Sequence, residues 1–169
     1  MPRNPKIAPR EAFETLLEWA VIPTFDLVIA YGGTGVIVCR RRLPPYRRVW
    51  ALPGLRMLKF ESIDDTIVRI GRQELGLELD PQARVFLGQY VGRFRTEHQR
   101  QDLSTAYVLT VDGSQTITPN REHFSAVRIV RGTPASTGAM YRYYLDRYWA
   151  SAQNAVATED SRGDHEVAS

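Results

Sequence analysis

The 169-residue chain has one cysteine, two lysines and no long apolar run. A single thiol, Cys39, excludes an internal disulfide and with it a disulfide-stapled scaffold. It sits in a strand-like apolar run, so it reads as a buried inert thiol rather than a nucleophile, and it fits a reducing, cytoplasmic setting. Apolar stretches such as Leu27 to Ala30 are far too short to span a bilayer. Residues 1–10 are basic and proline-containing but carry no apolar signal segment. Neither secretion nor a membrane partner is therefore expected. With lysine nearly missing, arginine supplies 20 of the 22 basic residues. Guanidinium forks match phosphate oxygens two at a time. A base-composition bias would give the same count, so the positions of the arginines must decide. The last 13 residues hold four acids and one arginine, so the rest of the chain carries +6 against +3 for the whole. That charge is modest, and no helix-turn-helix or zinc-ligand pattern accompanies it, so nucleic acid is not expected as a partner.

What is present reads as one α/β domain. With 43% apolar and 24% charged residues, the chain can bury an ordinary core. Pro9 to Val21 has Phe13, Leu16, Leu17 and Ala20 on one helical face and glutamates on the other. Thr24 to Tyr31 and Gly35 to Cys39 form a hairpin across Gly32-Gly33-Thr34. A basic loop with Pro44 and Pro45 follows, then a short strand at Val49 to Leu52. Ser62 to Leu75 is the clearest helix: Ser62 and Asp65 form a capping box, and Gly76 supplies the stop. Strands are expected at Arg84 to Val91, Leu103 to Val111 and Ala126 to Val130. A last helix spans Ala135 to Ala152, with Met140, Tyr143, Tyr144 and Tyr148 on its packed face. The expected divisions are an N-terminal helix (1–22) packing on the domain or a dimer partner, a domain (23–152), and a disordered acidic tail (153–169). Helices flanking a mixed sheet make an α/β/α sandwich.

The chemistry concentrates in Val49 to Leu77: a strand, a Pro-Gly turn, a loop and a capped helix. Gly71 is costly inside a helix, by about 1 kcal/mol against Ala, which suggests that another backbone passes close. The Gly54 carbonyl and the Glu74 carboxylate are two hard oxygens that suit Mg²⁺, which takes few protein ligands and keeps several waters.

This stretch resembles the Nudix hydrolase signature, G-x5-E-x7-R-E-U-x-E-E-x-G-U with U apolar. Glu61, Arg69, Glu74, Gly76 and Leu77 fall in register. Leu55 stands at the first glycine with Gly54 beside it, and Ile70 and Gln73 stand where two glutamates are usual. GDP-mannose mannosyl hydrolases, within the same superfamily, share this reduced form, and the likeness extends over roughly Asp26 to Tyr148. The resemblance implies a Nudix-type sandwich, a homodimer, and Mg²⁺ (or Mn²⁺) bound by Gly54, Glu74 and Glu122. It implies a nucleotide-sugar substrate whose C1–O bond is hydrolysed. His123 would be the general base, Asp26 the carboxylate near C1 and Arg41 a diphosphate-binding catalytic arginine. Arg56, Tyr107 and Arg69 would bind substrate. Two positions depart: Glu122 stands where a Gln is usual, and Gly92 stands at the sugar-site His, with His98 nearby but out of register.

The residue types agree with that chemistry. A departing diphosphate carries charge that arginines and Mg²⁺ stabilise, and a His near neutral pKa can deprotonate water. Two other readings stay open: a Nudix pyrophosphatase acting on another nucleoside diphosphate derivative, with Glu61 recruited to the metal, and a catalytically inactive nucleotide-binding module.

Overall fold

The computed structural model describes residues 4–44, 46–95 and 98–163, with side chains described to residue 154. Helix α1 covers Arg10–Trp19. Strand β1 runs Val21–Tyr31 and turns through Gly32 and Gly33, both at positive φ, into β2, Gly35–Arg41. The strand takes Val21 from the end of the expected helix and begins three residues before the expected Thr24, because Val21 to Pro23 pair with Gln101 to Leu103. The short strands β3 (Trp50–Ala51) and β4 (Gly54–Arg56) flank the Pro-Gly turn, and β4 was not foreseen.

Helix α2 (Ile63–Ile70) begins with the expected capping box: Ser62 Oγ accepts from the Asp65 N–H, and the Asp65 carboxylate accepts from the Ser62 N–H. The helix then widens into a π turn over Gly71–Leu75 and stops at Gly76, φ 65°. A Cβ on Gly71 would lie 2.8 Å from the Leu77 carbonyl oxygen and 2.7 Å from Leu79 Cγ, so a returning backbone does pass close. Strands β5 (Val85–Arg93), β6 (Gln101–Val111) and β7 (Phe124–Val130) complete the sheet, and α3 runs Ala139–Gly163. The tail expected over 153–169 is thus helical in its backbone as far as Gly163. Its side chains beyond residue 154 and residues 164–169 lie outside the described residues, as does Pro45 of the basic loop.

The sheet runs β3-β2-β1-β6-β5, with β4 on β1 and β7 on β2. Only the β1–β6 pairing is parallel, so the sheet is mixed. Both faces are covered, which is why β1 reads as a continuous apolar run. Leu27, Ile29 and Ile37 pack with Ile67 and Ile70 of α2, while Val28, Val36 and Val38 pack with Tyr141, Tyr144 and Leu145 of α3. The packed face of α3 is therefore Met140, Tyr141, Tyr144 and Leu145, and Tyr143, expected there, is 38% exposed. Cys39 is fully buried, and that burial pushes its thiol well above the usual range.

Candidate active site

A cavity of about 440 Å³ opens beside the first halves of the central strands β1 and β6. Its wall is made by β1, β4, the π turn, the start of β6, the start of α3 and the loop after β2. Pairing register builds its floor. Asp26 sits opposite Gly54 in the β1–β4 pair, where any side chain at position 54 would collide with Asp26 Oδ1 and the Phe25 carbonyl. Ser104, on the neighbouring β6, donates to Asp26 Oδ2 at 2.5 Å, and the Tyr144 hydroxyl donates to the Ser104 carbonyl at 2.9 Å. Burial pushes the Asp26 carboxyl up to about 6, against the Ser104 hydrogen bond and the Arg41 charge, which pull it down.

Glu74 and His123, 49 residues apart in sequence, meet in the same cavity with Oε1 and Nδ1 at 2.7 Å. Backbone bonds enforce that meeting: Thr118 N–H donates to the Leu75 carbonyl at 2.7 Å, and Asn120 N–H to the Glu74 carbonyl at 2.8 Å. Arg42 N–H donates to the His123 carbonyl at 2.8 Å, which ties the loop to the end of β2 and brings Arg41 alongside. Burial raises the Glu74 carboxyl, while His123 and Arg41 draw it back.

Four arginines line the cavity in different states. Arg41 donates to the Pro44 carbonyl at 3.0 Å, and its buried Nε has no hydrogen-bond partner. Arg100 grips Asp102 with two bonds of 2.6 and 2.8 Å. Arg69 is held at Glu61 Oε2 (2.8 Å) and donates to the Arg56 carbonyl at 2.7 Å. Glu61 also accepts from Leu58 N–H and Thr66 Oγ1, so its carboxylate ties together the loop before α2 and is not free to recruit metal. Arg56 is half-buried over the Phe13 ring, and burial together with the Arg100 and Arg69 charges lowers its pKa.

The structure thus brings together Asp26, Arg41, Gly54, Arg56, Arg69, Glu74 and His123 from the sequence-predicted set. Three residues of that set are placed or held differently from the expectation. Arg69 lines the cavity, but its guanidinium is bound internally, so it fastens β4 rather than reaching a ligand freely. Tyr107 does not line the cavity: its side chain falls on the α2 face of β6, between Phe25 and Phe86. Glu122 is exposed and outside the lining, and its N–H bonds the Asn120 side chain at 3.1 Å. Sequence reasoning missed Arg100 and Asp102. The available signal was parity: Asp102 and Ser104 alternate with the apolar Leu103, placing polar groups on the same face of the sheet as Asp26. His98 lies 3.4 Å from Glu18, not in the cavity.

The metal-donor set is correspondingly lean. Among the described residues, no group of three or more His, Cys, Asp or Glu is placed to hold a metal ion. Glu74, with Oε1 on His123, and Gly54 both line the cavity. One carboxylate and one carbonyl fit a Mg²⁺ that arrives on phosphate oxygens and keeps its waters, rather than one caged by protein.

The NUDIX domain family model matches residues 22–135, more than half of the chain. The chain belongs to the NUDIX family. Among known proteins, this NUDIX chain is 28% identical over 109 residues to the low-salt glycan biosynthesis protein Agl8 of Haloferax volcanii, covering 62% of this chain and 68% of the relative. Its fold is similar to the MutT NUDIX hydrolase of Burkholderia pseudomallei, with a TM-score of 0.65 and 16% identity over 75% of this chain and 96% of that one. It is similar also to the NUDIX domain of NrtR from Shewanella oneidensis, solved in complex with ADP ribose. That match has a TM-score of 0.64 and 15% identity, and covers 86% of this chain and 94% of that one. The α/β/α sandwich is therefore the Nudix fold. NUDIX proteins bind nucleotide derivatives, and the family's hydrolases use divalent metals such as Mg²⁺ or Mn²⁺. Among the described residues, no helix is long and apolar enough to cross a membrane.

Proposed function

We propose that the chain hydrolyses a nucleoside diphosphate sugar of the GDP-mannose kind, at the C1–O bond of the sugar. The observation that carries this reading is the Glu74–His123 pair in a cavity whose signature helix has Ile70 and Gln73 in the two usual glutamate positions. Ile70 is fully buried in the core, so it offers no route to metal. What remains is a His held by a carboxylate, which suits activation of water rather than multi-metal cleavage of a pyrophosphate.

The steps follow from the residues. An ionised Glu74 accepts the Nδ1–H of His123 and leaves Nε2 as the basic nitrogen. His123 Nε2 takes a proton from water as the water oxygen bonds to C1. The C1–O bond breaks, and its electron pair leaves on the nucleoside diphosphate. Arg41 and Arg56 stabilise that charge. Asp26, ionised above about pH 6, faces the positive charge that develops at the sugar. A divalent cation held by Glu74 and the Gly54 carbonyl would neutralise diphosphate charge. The glycan-related description of the Haloferax relative supports a sugar-nucleotide substrate. Exposed Leu16 and Trp19 of α1, with Val21 at the start of β1, support a homodimer through this face, and the buried Cys39 suits a cytoplasmic setting.

The test is hydrolysis of a nucleotide-sugar panel in ¹⁸O-water with Mg²⁺. Label in the free sugar, lost in H123A and E74Q, is the expected result. Label in phosphate would overturn C1–O cleavage and favour a pyrophosphatase, and saturable binding without turnover would leave a binding module.

A further inference from the structure

Residues 4–21 lie outside the stretch that the NUDIX family model matches, yet part of this segment walls the cavity. Ile7 lines it, and Lys6 N–H donates to the Lys59 carbonyl at 3.1 Å, pinning the segment to the loop after β4. Helix α1 is anchored by the buried Leu17. One turn earlier, Phe13 meets Arg56, whose guanidinium carbon lies 3.8 Å from the ring centroid.

Arg56 differs from its neighbours. Arg69 is neutralised by Glu61 and Arg100 by Asp102. Among the described residues, the Arg56 guanidinium has no carboxylate partner; its described partner is the Phe13 ring. Arg41, Arg69 and Arg100 line the same cavity, so the Arg56 charge sits among like charges. The ring's negative face offsets part of that repulsion and, by covering one side of the guanidinium, restricts its rotamers. A fork already held in place loses less freedom on binding a phosphate.

We propose that Phe13 is a positioning residue, through which α1 holds the Arg56 fork ready for the diphosphate of the substrate, so that the N-terminal segment is part of the substrate site. This rests on the reading of Arg56 as a diphosphate contact, and the experiment separates the two. The full chain and its F13A, F13L, F13Y, R56A and F13A/R56A variants are titrated with inorganic pyrophosphate and with GDP, and then assayed with GDP-mannose and Mg²⁺. T15A, a change at an exposed position of the same helix outside the proposed dimer face, is the control. For F13A, dissociation constants and KM should rise about 5- to 10-fold with kcat within about 2-fold. F13Y and T15A should stay within about 2-fold of wild type, because the aromatic face or the site itself is untouched. F13L keeps the apolar contact without the π face, so a loss of about 3-fold at unchanged Tm separates the ring's electrostatics from packing. In the R56A background, F13A should add less than about 2-fold, because its effect runs through Arg56. Unchanged binding in F13A, or F13A and R56A losses that multiply, would overturn the proposal. A wild type that binds pyrophosphate and GDP but turns over no nucleotide sugar defeats the hydrolase reading alone, and the Phe13 comparison is then decided in binding. A wild type that binds neither defeats both.

Discussion

Replacing Gly71 by alanine sets two effects of known size against each other. Gly71 has φ −53° and ψ −53°, ordinary right-handed helical values that alanine adopts without strain. Propensity alone would therefore stabilise the variant by about 1 kcal/mol. Space opposes it. The new methyl would sit 2.8 Å from the Leu77 carbonyl oxygen and 2.7 Å from Leu79 Cγ. The Leu79 side chain can shift, but the Leu77 backbone is tied to the same turn by its N–H to the Gly71 carbonyl at 3.0 Å. Overpacking against a fixed backbone costs roughly 1–3 kcal/mol, and the upper part of that range applies where the neighbour cannot give. The net expectation is a loss of about 1–2 kcal/mol, or roughly 2–8 °C in Tm for a chain of this size. Urea unfolding followed by circular dichroism measures it. G132A is the control, since nothing lies within 4 Å of a Cβ there. A G71A variant as stable as wild type, or more so, would refute the packing argument. Because the same turn carries Glu74, a displaced Leu77 should also lower kcat in G71A.

Two further outcomes follow from the ionic groups. E61Q leaves Arg69 short of its charged partner and weakens the anchor of the loop before α2. A loss of about 2–4 kcal/mol is expected in denaturant unfolding, reduced at low pH where the wild-type Glu61 is itself protonated and neutral like the glutamine. For Asp26 the sign runs the other way from a salt-bridged acid. Burial raises its folded pKa from the ordinary 3.8 to about 6, so the native state holds its proton more tightly than the unfolded chain. The resulting penalty is absent below about pH 4, grows through the interval and reaches roughly 3 kcal/mol above about pH 6. Relative to wild type, D26N should gain stability by up to that amount between about pH 4 and about pH 7, measured with EDTA present, while losing turnover. A D26N–wild-type difference that stays flat across that interval would refute the raised value.

Local rules carried much of the architecture. The capping box at Ser62, the Gly32-Gly33 hairpin and the tight approach at Gly71 each depend on residues near in sequence, and each was readable. The joint register of Glu61, Arg69, Glu74 and Gly76 pointed to the family because a loop wrapped on a helix constrains several positions at once. What was unreadable depends on long-range partners. Arg69 looks like a ligand-facing cation until Glu61, eight residues away, is seen to hold it. Tyr107, by contrast, follows the parity of its strand into the core, a local signal that the sequence offers and that outranks its place in the family pattern. The Phe13–Arg56 contact joins two segments that no local pattern connects. The π turn and β4 are short departures fixed by what packs on them.

The parallel pairing of β1 with β6 has a kinetic consequence. Every residue from Val21 to Tyr31 waits for a partner between Gln101 and Val111, so the centre of the sheet closes a loop spanning nearly half the chain. Such non-local pairing slows folding, because closure entropy is lost before contacts reward it. A nascent chain that ends before β6 has the apolar run of β1 with one flank unpaired and no Ser104 or Asp102 beside Asp26. Such an edge invites association with other chains. The floor of the cavity therefore closes only once β6 has docked on β1, and a fragment that ends before β6 lacks the polar partners of Asp26.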